Sequence, residues 1–501
     1  MIPSQDAPAR QIIPVSCGGV TTLCIHAFLA AIAGLVLRLF FALRLPFSLG
    51  DGETYVQLAR NWADHHVYGL WQNGQLIPTD LRLPGYPAFL AAVAIPFGRT
   101  IRAIVLSQSV LDLCTCFLGA ALAAALAPKA SRRRAAIASL WLAATCPFLA
   151  SYAAAVLTEV LVAFFATAAL VFFAMSLRQE PNGFFLNLLR LRVTPFNAAC
   201  IGAFLTGLAS LIRPEMPLLL AVASVVFVFR WYGSFGWRKI LLTGMAMAVA
   251  FLLPLLPWAA RNFISLRKIQ ISAPRYVTLP GEYATVGYFA WTNTWLERYR
   301  DVYLSVWKIG EEPVEVEDLP ATAFDSPEEK QTIATLFNEY NASPDLDITP
   351  EQDRVFARIA REHVRRHPFR TRIWVPFQRA LTVWFTPRTE LLPIDGKFWP
   401  VGQNWQDSPA YVLTTGGFAA LGYLYVALAL GGVWVAWRAR VAIDAPNLWG
   451  IALIVAYMIV RTTFLTTVEA PEPRYVVTCY PAVMALITLL WSANQKQNEG
   501  I

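Results

Sequence analysis

Asp51-Gly52-Glu53 places two carboxylates where a helical stretch opens and runs on to His65. An ionised carboxylate can take a proton as a general base, and two together can hold a hard divalent cation. The same acids can also cap the helix, because acids at a helix N-terminus meet free backbone N–H groups. His65 and His66 fall about 21 Å or more along a straight helix from Asp51, too far to share a cation with it. A further set of charges is sparse, single and of mixed sign: Glu159; Arg213 and Glu215 around Pro214; Arg261 after Pro257-Trp258; Glu469; and Glu472-Pro473-Arg474-Tyr475. They abut the ends of apolar blocks, often beside proline. Charges of that kind at one membrane depth suggest a polar site rather than a solvated face.

The elements that must position these residues are membrane helices. Of the 501 residues, 56% are hydrophobic and only 15% charged, and the mean hydropathy is +0.47. A soluble domain carries about 25% charged residues. The apolar residues gather in blocks near the ~20 residues needed to cross a hydrocarbon core. The blocks centre on 22–45, 101–126, 135–155, 159–177, 197–212, 215–230, 240–258, 411–436, 447–467 and 475–492. The expected fold is therefore an all-α polytopic membrane protein with about ten transmembrane helices.

Basic residues set its orientation. Lys129 with Arg132, Arg133 and Arg134; Arg178 with Arg190 and Arg192; Arg230 with Arg238 and Lys239; and Arg438 with Arg440 all fall on one side of these spans. That side is cytoplasmic by the positive-inside rule, which puts Asp51 and its companions on the outer face of the cytoplasmic (inner) membrane. The net charge of +8 is thus explained by topology, and no nucleic-acid partner is expected. The seven cysteines avoid the long polar segments, so no disulfide framework is expected. Cys114 and Cys116 read as packing residues.

The chain divides into a cytoplasmic tail (1–21), an N-terminal transmembrane region (22–261), an outer-face segment (262–410), C-terminal transmembrane helices (411–492) and a second tail (493–501). Within the N-terminal region an outer loop, 47–100, ends in an apolar run to Phe97. That run is short for a span and is expected to lie on the membrane surface. In the outer-face segment, Ser326-Pro327-Glu328-Glu329 and Thr349-Pro350-Glu351-Gln352 both read as capped helix starts. The second helix carries Val355, Phe356 and Ile359 on one side and ends before Pro368. Its basic end, Arg361 to Arg372, suits anionic headgroups. Tyr288, Trp291 and Trp295 read as buried aromatics rather than a sugar platform.

In order along the chain stand Arg38, Arg44, Gly50-Asp51-Gly52-Glu53-Thr54-Tyr55, Leu58-Ala59-Arg60, Arg82-Leu83-Pro84-Gly85-Tyr86-Pro87, Thr158-Glu159, Arg213-Pro214, Pro257-Trp258-Ala259-Ala260-Arg261-Asn262, Arg474-Tyr475 and Pro481. This series resembles the C-type membrane glycosyltransferases of family 39, which include protein O-mannosyltransferases and lipid A aminoarabinose transferases. The resemblance covers residues 35 to 262 and a weaker tail after 470; residues 263 to 410 match nothing in it. It implies an inverting transfer, on the outer face, of a sugar from a polyprenyl-phosphate donor to an acceptor on a protein, lipid or glycan. Asp51 matches the family's catalytic acid, although the family often has Asp-Glu as neighbours where Gly52 intervenes here. Asp51 and Glu53 are the expected catalytic residues, and the ligands of any divalent cation. Arg261, Arg474, Arg82 and Tyr86 are expected at the donor phosphate. Glu159, Arg213, Glu215 and Tyr475 are expected around the site. For Arg261 and Arg474 the residues alone allow a second role, snorkelling or an ion pair with Glu469 or Glu472.

Two other functions compete. A transporter or flippase of lipid-linked sugars would favour internal repeats, broken helices and ionisable residues at mid-membrane, none of which stands out in the sequence. A structural envelope protein would need no carboxylate and arginines converging on one face.

Overall fold

A computed structural model describes residues 17–48, 50–178, 193–233, 235–276, 283–439 and 445–492. Arg190, Arg192 and Arg440, most of the first tail and the second tail lie outside the described residues. Among the described residues the chain is all-α apart from one hairpin. The first half holds α1 (Cys17–Arg44), α2 (Asp51–His65), β1 (Gly69–Gln72), β2 (Gln75–Pro78), α3 (Gly85–Phe97), α4 (Ile101–Leu126), α5 (Arg132–Ala144), α6 (Pro147–Ala153), α7 (Glu159–Arg178), α8 (Pro195–Ser210), α9 (Pro217–Trp231), α10 (Trp237–Leu252) and α11 (Leu256–Leu266). Then come α12 (Val286–Thr292), α13 (Tyr299–Ser305), α14 (Pro327–Ala342), α15 (Pro350–Arg366), α16 (Val375–Phe385), α17 (Val401–Asp407), α18 (Pro409–Arg438), α19 (Ala445–Leu465), α20 (Tyr480–Ile487) and α21 (Leu489–Ser492).

All ten apolar blocks are helical. Among the described residues, seven helices are long and apolar enough to span a membrane, and α5 with α6 makes an eighth if that pair, bent by 53°, is one span. The other two, α8 and α9, have 16 and 15 residues, short of the ~20 a straight span requires. α8 packs closely against its neighbours. A Cβ on Gly202 of α8 would stand 2.6 Å from the Phe173 ring of α7, and one on Gly207 would stand 2.3 Å from the Phe251 carbonyl oxygen. Small residues that let helices approach this closely are a general device of membrane packing.

The centre of the bundle is α4, α7 and the helix from Pro473 to Trp491, whose residues are mostly buried. α1, α10 and α18 surround it and expose apolar side chains such as Phe28, Val36, Leu242, Val249 and Leu430, as lipid-facing helices do. Inside the bundle Arg38 and Asp112 pair at 2.7 Å. Arg38 also donates to the Gly34 and Ala144 carbonyls, so one guanidinium ties α1 to α4 and α5.

The short helix α3 lies against α2 and α4 and exposes Ile95 and Phe97, in keeping with a surface helix. The hairpin was not expected. Asn73 and Gly74 both take positive φ at its turn, the conformation that Asn-Gly favours in two-residue hairpins.

The segment after α11 builds a second apolar core from Tyr288, Trp291, Trp295, Phe337, Phe356 and neighbours. The three aromatics read as buried are fully enclosed. Thr349 and Gln352 close a capping box. Ser326 also accepts from the Glu329 amide, but the Glu329 carboxylate turns to the Asp325 amide and to His363 instead of closing a box. After α15, a π-helical turn (Arg370–Trp374) leads into α16. Its exposed Phe369, Ile373, Trp374 and Phe377 stand beside the basic stretch expected at the headgroups.

Candidate active site

The site forms where helix ends meet: the end of α1, the starts of α2, α7 and α9, the end of α8, the end of α19 and the turn from Pro473 to Cys479. The chain leaving α1 is held by paired backbone bonds. The Phe47 N–H donates to the Ala154 carbonyl, and the Val156 N–H donates to the Phe47 carbonyl. Gly52 is buried in this contact. A Cβ there would stand 2.9 Å from the Val156 carbonyl oxygen, so this position tolerates no side chain.

That close approach separates the two acids. Asp51 is the first helical residue; Gly50 is the cap position, at φ 57°, and no side chain caps the helix. The Asp51 carboxylate therefore turns inward and accepts from Arg82 Nη2 at 2.6 Å and Arg474 Nη2 at 2.9 Å. Glu53 is exposed and does not converge with Asp51. The carboxylate of Asp51 meets two guanidinium groups rather than a second acid. Burial pushes this carboxyl up, but the charges of Arg82 and Arg474 outweigh burial and hold it below the ordinary carboxylate value. It is ionised at neutral pH.

Arg474 links Asp51 to the rest of the cluster. Its Nε lies 2.5 Å from Glu472 Oε2 and 3.9 Å from Glu159 Oε1. The Tyr475 hydroxyl donates to Glu472 Oε1 at 2.8 Å. Burial pushes the Glu472 carboxyl up, against the opposing charge of Arg474. Arg213 donates to Glu159 Oε1 at 2.6 Å and to Thr158 Oγ1 at 3.0 Å, and its guanidinium stacks over the Tyr475 ring. Glu215 accepts from Arg461 Nη2 at 3.0 Å. Glu159 Oε2 and the Nε of Arg82 are buried without a hydrogen-bond partner. The cluster thus has unused polar capacity pointing into it.

Asp51, Arg82, Arg474, Glu159, Arg213, Glu215 and Tyr475 are therefore brought together. Three expected residues stand apart. Glu53 faces outward. The Tyr86 hydroxyl is buried and donates to Gln108 Oε1 at 2.5 Å, while its ring packs edge-on against Tyr55. Arg261 donates to the carbonyls of Thr79 and Tyr68 and to Asn262 Oδ1, so it fastens the hairpin rather than touching Asp51. It reaches the cluster only through Tyr68, whose hydroxyl donates to the Arg82 carbonyl at 2.8 Å.

The structure adds residues that sequence reasoning missed. Glu390 accepts from the Tyr152 hydroxyl, Arg388 lies over the rings of Phe148 and Tyr480, and burial raises the Glu390 carboxyl. Pro387-Arg388-Thr389-Glu390 shows the same sign as the other site segments, isolated charges of mixed sign beside a proline. The cation ligands expected at Asp51 and Glu53 do not meet there. Among the described residues, the group whose ligand atoms converge is Asp325, Glu329 and His363.

Fold and site together define an all-α, multi-pass membrane protein with a charged cluster at one membrane face. No protein-family model matches the sequence, and no curated protein matches it. Among solved structures, the chain is similar to the archaeal oligosaccharyltransferase AglB from Archaeoglobus fulgidus, in complex with an inhibitory peptide and a dolichol-phosphate. The identity is 14%, over 95% of this chain and 50% of that one, with a TM-score of 0.47. It is also similar to ArnT from Cupriavidus metallidurans bound to undecaprenyl phosphate, at 14% identity over 97% of this chain and 78% of that one, with a TM-score of 0.38. The chain spans about half the length of AglB.

Proposed function

We propose that this chain is a membrane glycosyltransferase that moves a sugar from a polyprenyl-phosphate donor to an acceptor hydroxyl, with inversion and with Asp51 as general base. The observation that carries this reading is one partly buried carboxylate bridged by two guanidinium groups, Arg82 and Arg474, at a membrane face. Guanidinium binds phosphate oxygens in a bidentate fork. A donor phosphate competes with Asp51 for the same two arginines. Its arrival frees a carboxylate oxygen beside the anomeric carbon.

The acceptor hydroxyl then gives its proton to Asp51 as its oxygen bonds to the anomeric carbon. The bond from that carbon to the phosphate oxygen breaks, and the electron pair leaves with the phosphate, where Arg82 and Arg474 hold the charge. Phosphate is already a good leaving group, so one carboxylate suffices, whereas glycoside hydrolysis generally needs two. Glu159 and Arg213 position Arg474 and Tyr475, and Arg261 acts by holding the hairpin.

In this reading the site faces the periplasm or exterior. Lys129, Arg132, Arg133, Arg134, Arg178, Arg230, Arg238, Lys239 and Arg438 flank the opposite helix ends, which favours that orientation. The segment 262–410 then contributes to acceptor binding. A transporter would use ionisable groups at mid-membrane, but Arg38 and Asp112 are enclosed and mutually satisfied. The test is transfer by the purified protein in lipid from radiolabelled polyprenyl-phosphate sugars to a mixed acceptor extract. Transfer by the wild type, reduced about 100-fold or more in Asp51→Asn, supports the assignment. Equal transfer by both proteins moves the base to another residue.

A further inference from the structure

Two acids and a histidine converge at the junction of α14 and α15, and a second histidine lies against one of the acids. Asp325 precedes α14, Glu329 lies in its first turn, His363 is in the last turn of α15, and His367 follows that helix. His363 Nε2 lies 2.7 Å from Glu329 Oε1 and 3.7 Å from Asp325 Oδ2. His367 Nε2 lies 3.4 Å from the same Asp325 Oδ2. His363 is fully buried, and the Asp325 side chain is only 4% exposed. Asp325 Oδ2 is buried with no hydrogen-bond partner, although Oδ1 accepts from Arg370 Nη2 at 2.8 Å. A buried acceptor left open is costly, so something is expected to fill this one.

Hydrogen-bond accounting shows what the centre lacks. The Thr294 hydroxyl donates its single proton to the Trp291 carbonyl at 2.7 Å. Its oxygen, 2.8 Å from His363 Nδ1, must therefore accept, and Nδ1 carries a proton. In the neutral ring the Nε2 lone pair then faces the carboxylate oxygens of Glu329 and Asp325. Three electron-rich atoms directed at one point call for a cation among them. The hydroxyl behind Nδ1 is the outer-shell partner that fixes the tautomer and orientation of metal-binding imidazoles.

We propose that Asp325, Glu329 and His363 form a binding site for a divalent transition-metal ion of the Zn2+ type, with His367 as fourth ligand. The ligand atoms of the three core residues lie within 4.8 Å of one another. A tetrahedral Zn2+ with bonds near 2.0–2.1 Å sets its ligands about 3.4 Å apart. The two Asp325 distances already suit this, and the His363–Glu329 contact must open by roughly 0.7 Å. Imidazole ligands select against Mg2+ and Ca2+, which prefer all-oxygen sites. The two carboxylates outnumber the single guanidinium of Arg370, which turns the other Asp325 oxygen away from the centre. The ion ties the start of α14 to the end of α15, just before the π-helical turn that leads to α16.

The test uses the full-length protein in lipid nanodiscs, stripped with chelator and dialysed, then titrated with Zn2+ by calorimetry and metal analysis. The wild type is expected to bind one Zn2+ per chain at this site, and Co2+ is expected to give visible d–d absorption. Glu329→Gln and His363→Ala are expected to abolish both, and Thr294→Ala to weaken binding about 10- to 100-fold. The variant His65→Ala/His66→Ala is expected to bind as the wild type does. If His363→Ala fails to fold, Glu329→Gln and Thr294→Ala carry the test, each checked for folding by its metal-free thermal midpoint. Absence of stoichiometric Zn2+ in the wild type, or wild-type binding by Glu329→Gln and Thr294→Ala, overturns the proposal. The centre would then be a buried imidazolium–carboxylate pair. Sugar transfer is not the readout, so the result stands apart from the glycosyltransferase assignment.

Discussion

Two arginine–carboxylate groups in this molecule look alike on paper and differ in what they leave unsatisfied. Arg38 and Asp112 are sealed inside the helix bundle, at 0% and 1% side-chain exposure. Every nitrogen of Arg38 has an acceptor: Asp112, the carbonyls of Gly34 and Ala144, or the sulfur of Cys116. Asp51, Arg82 and Arg474 are 29%, 35% and 17% exposed, and Arg82 keeps an Nε without a partner. The first group is complete and has one thing to do, hold three helices together. The second has capacity to spare and an open side, as a site that exchanges partners must. The same residue types thus give stability where they are closed and chemistry where they are open.

That contrast can be broken by substitution. Asp112→Leu leaves a guanidinium buried without its charge, and losing one partner of such a pair costs about 3–5 kcal/mol. The expected result is a large drop in thermal midpoint in nanodiscs, with unchanged donor affinity in the protein that stays folded. Arg82→Ala, which removes the more exposed of the two guanidinium groups, should do the reverse. Hydrogen bonds to charged groups are worth about 1.5–3 kcal/mol, so the Km for donor should rise roughly 10- to 100-fold with only a modest change in midpoint. Gly52→Ala presses a methyl group against the Val156 carbonyl and pushes α2 away from its seat. Overpacking of this kind costs about 1–3 kcal/mol, and transfer should fall with stability.

The smallest effect is on pH. The Asp51 carboxyl is held below its ordinary value in the folded protein. Its stabilising contribution is therefore present above the unfolded carboxylate value of about 3.9 and lost as pH falls through the lower folded one. Asp51 should cause no change in stability or in kcat/Km between pH 5 and 8. In Arg474→Ala the acid limb of kcat/Km should move upward, because one of the two lowering charges is gone.

Much of this was legible in the sequence because it depends on local pattern. Apolar length marked every span, and isolated charges beside proline marked most of the site. What was not legible depends on approach distance. Nothing in Asp51-Gly52-Glu53 says that Gly52 lies against Val156, and that contact decides which acid faces the arginines. Arg261 looked like a phosphate ligand because the hairpin whose carbonyls it serves went unrecognised, although Asn73-Gly74 was its signal. Tyr152 and Glu390 lie 238 residues apart, and no spacing rule connects them. Asp112 sits unremarked in an apolar block until Arg38 is seen beside it.

The central claim is that Asp51 does chemistry while the arginines hold the donor. The most direct measurement is transfer and donor binding together, wild type against Asp51→Asn in the same nanodiscs. The account predicts transfer reduced about 100-fold or more, with donor binding retained or tightened because the carboxylate no longer competes for Arg82 and Arg474. Unchanged transfer, or transfer and binding lost in equal measure, would contradict it.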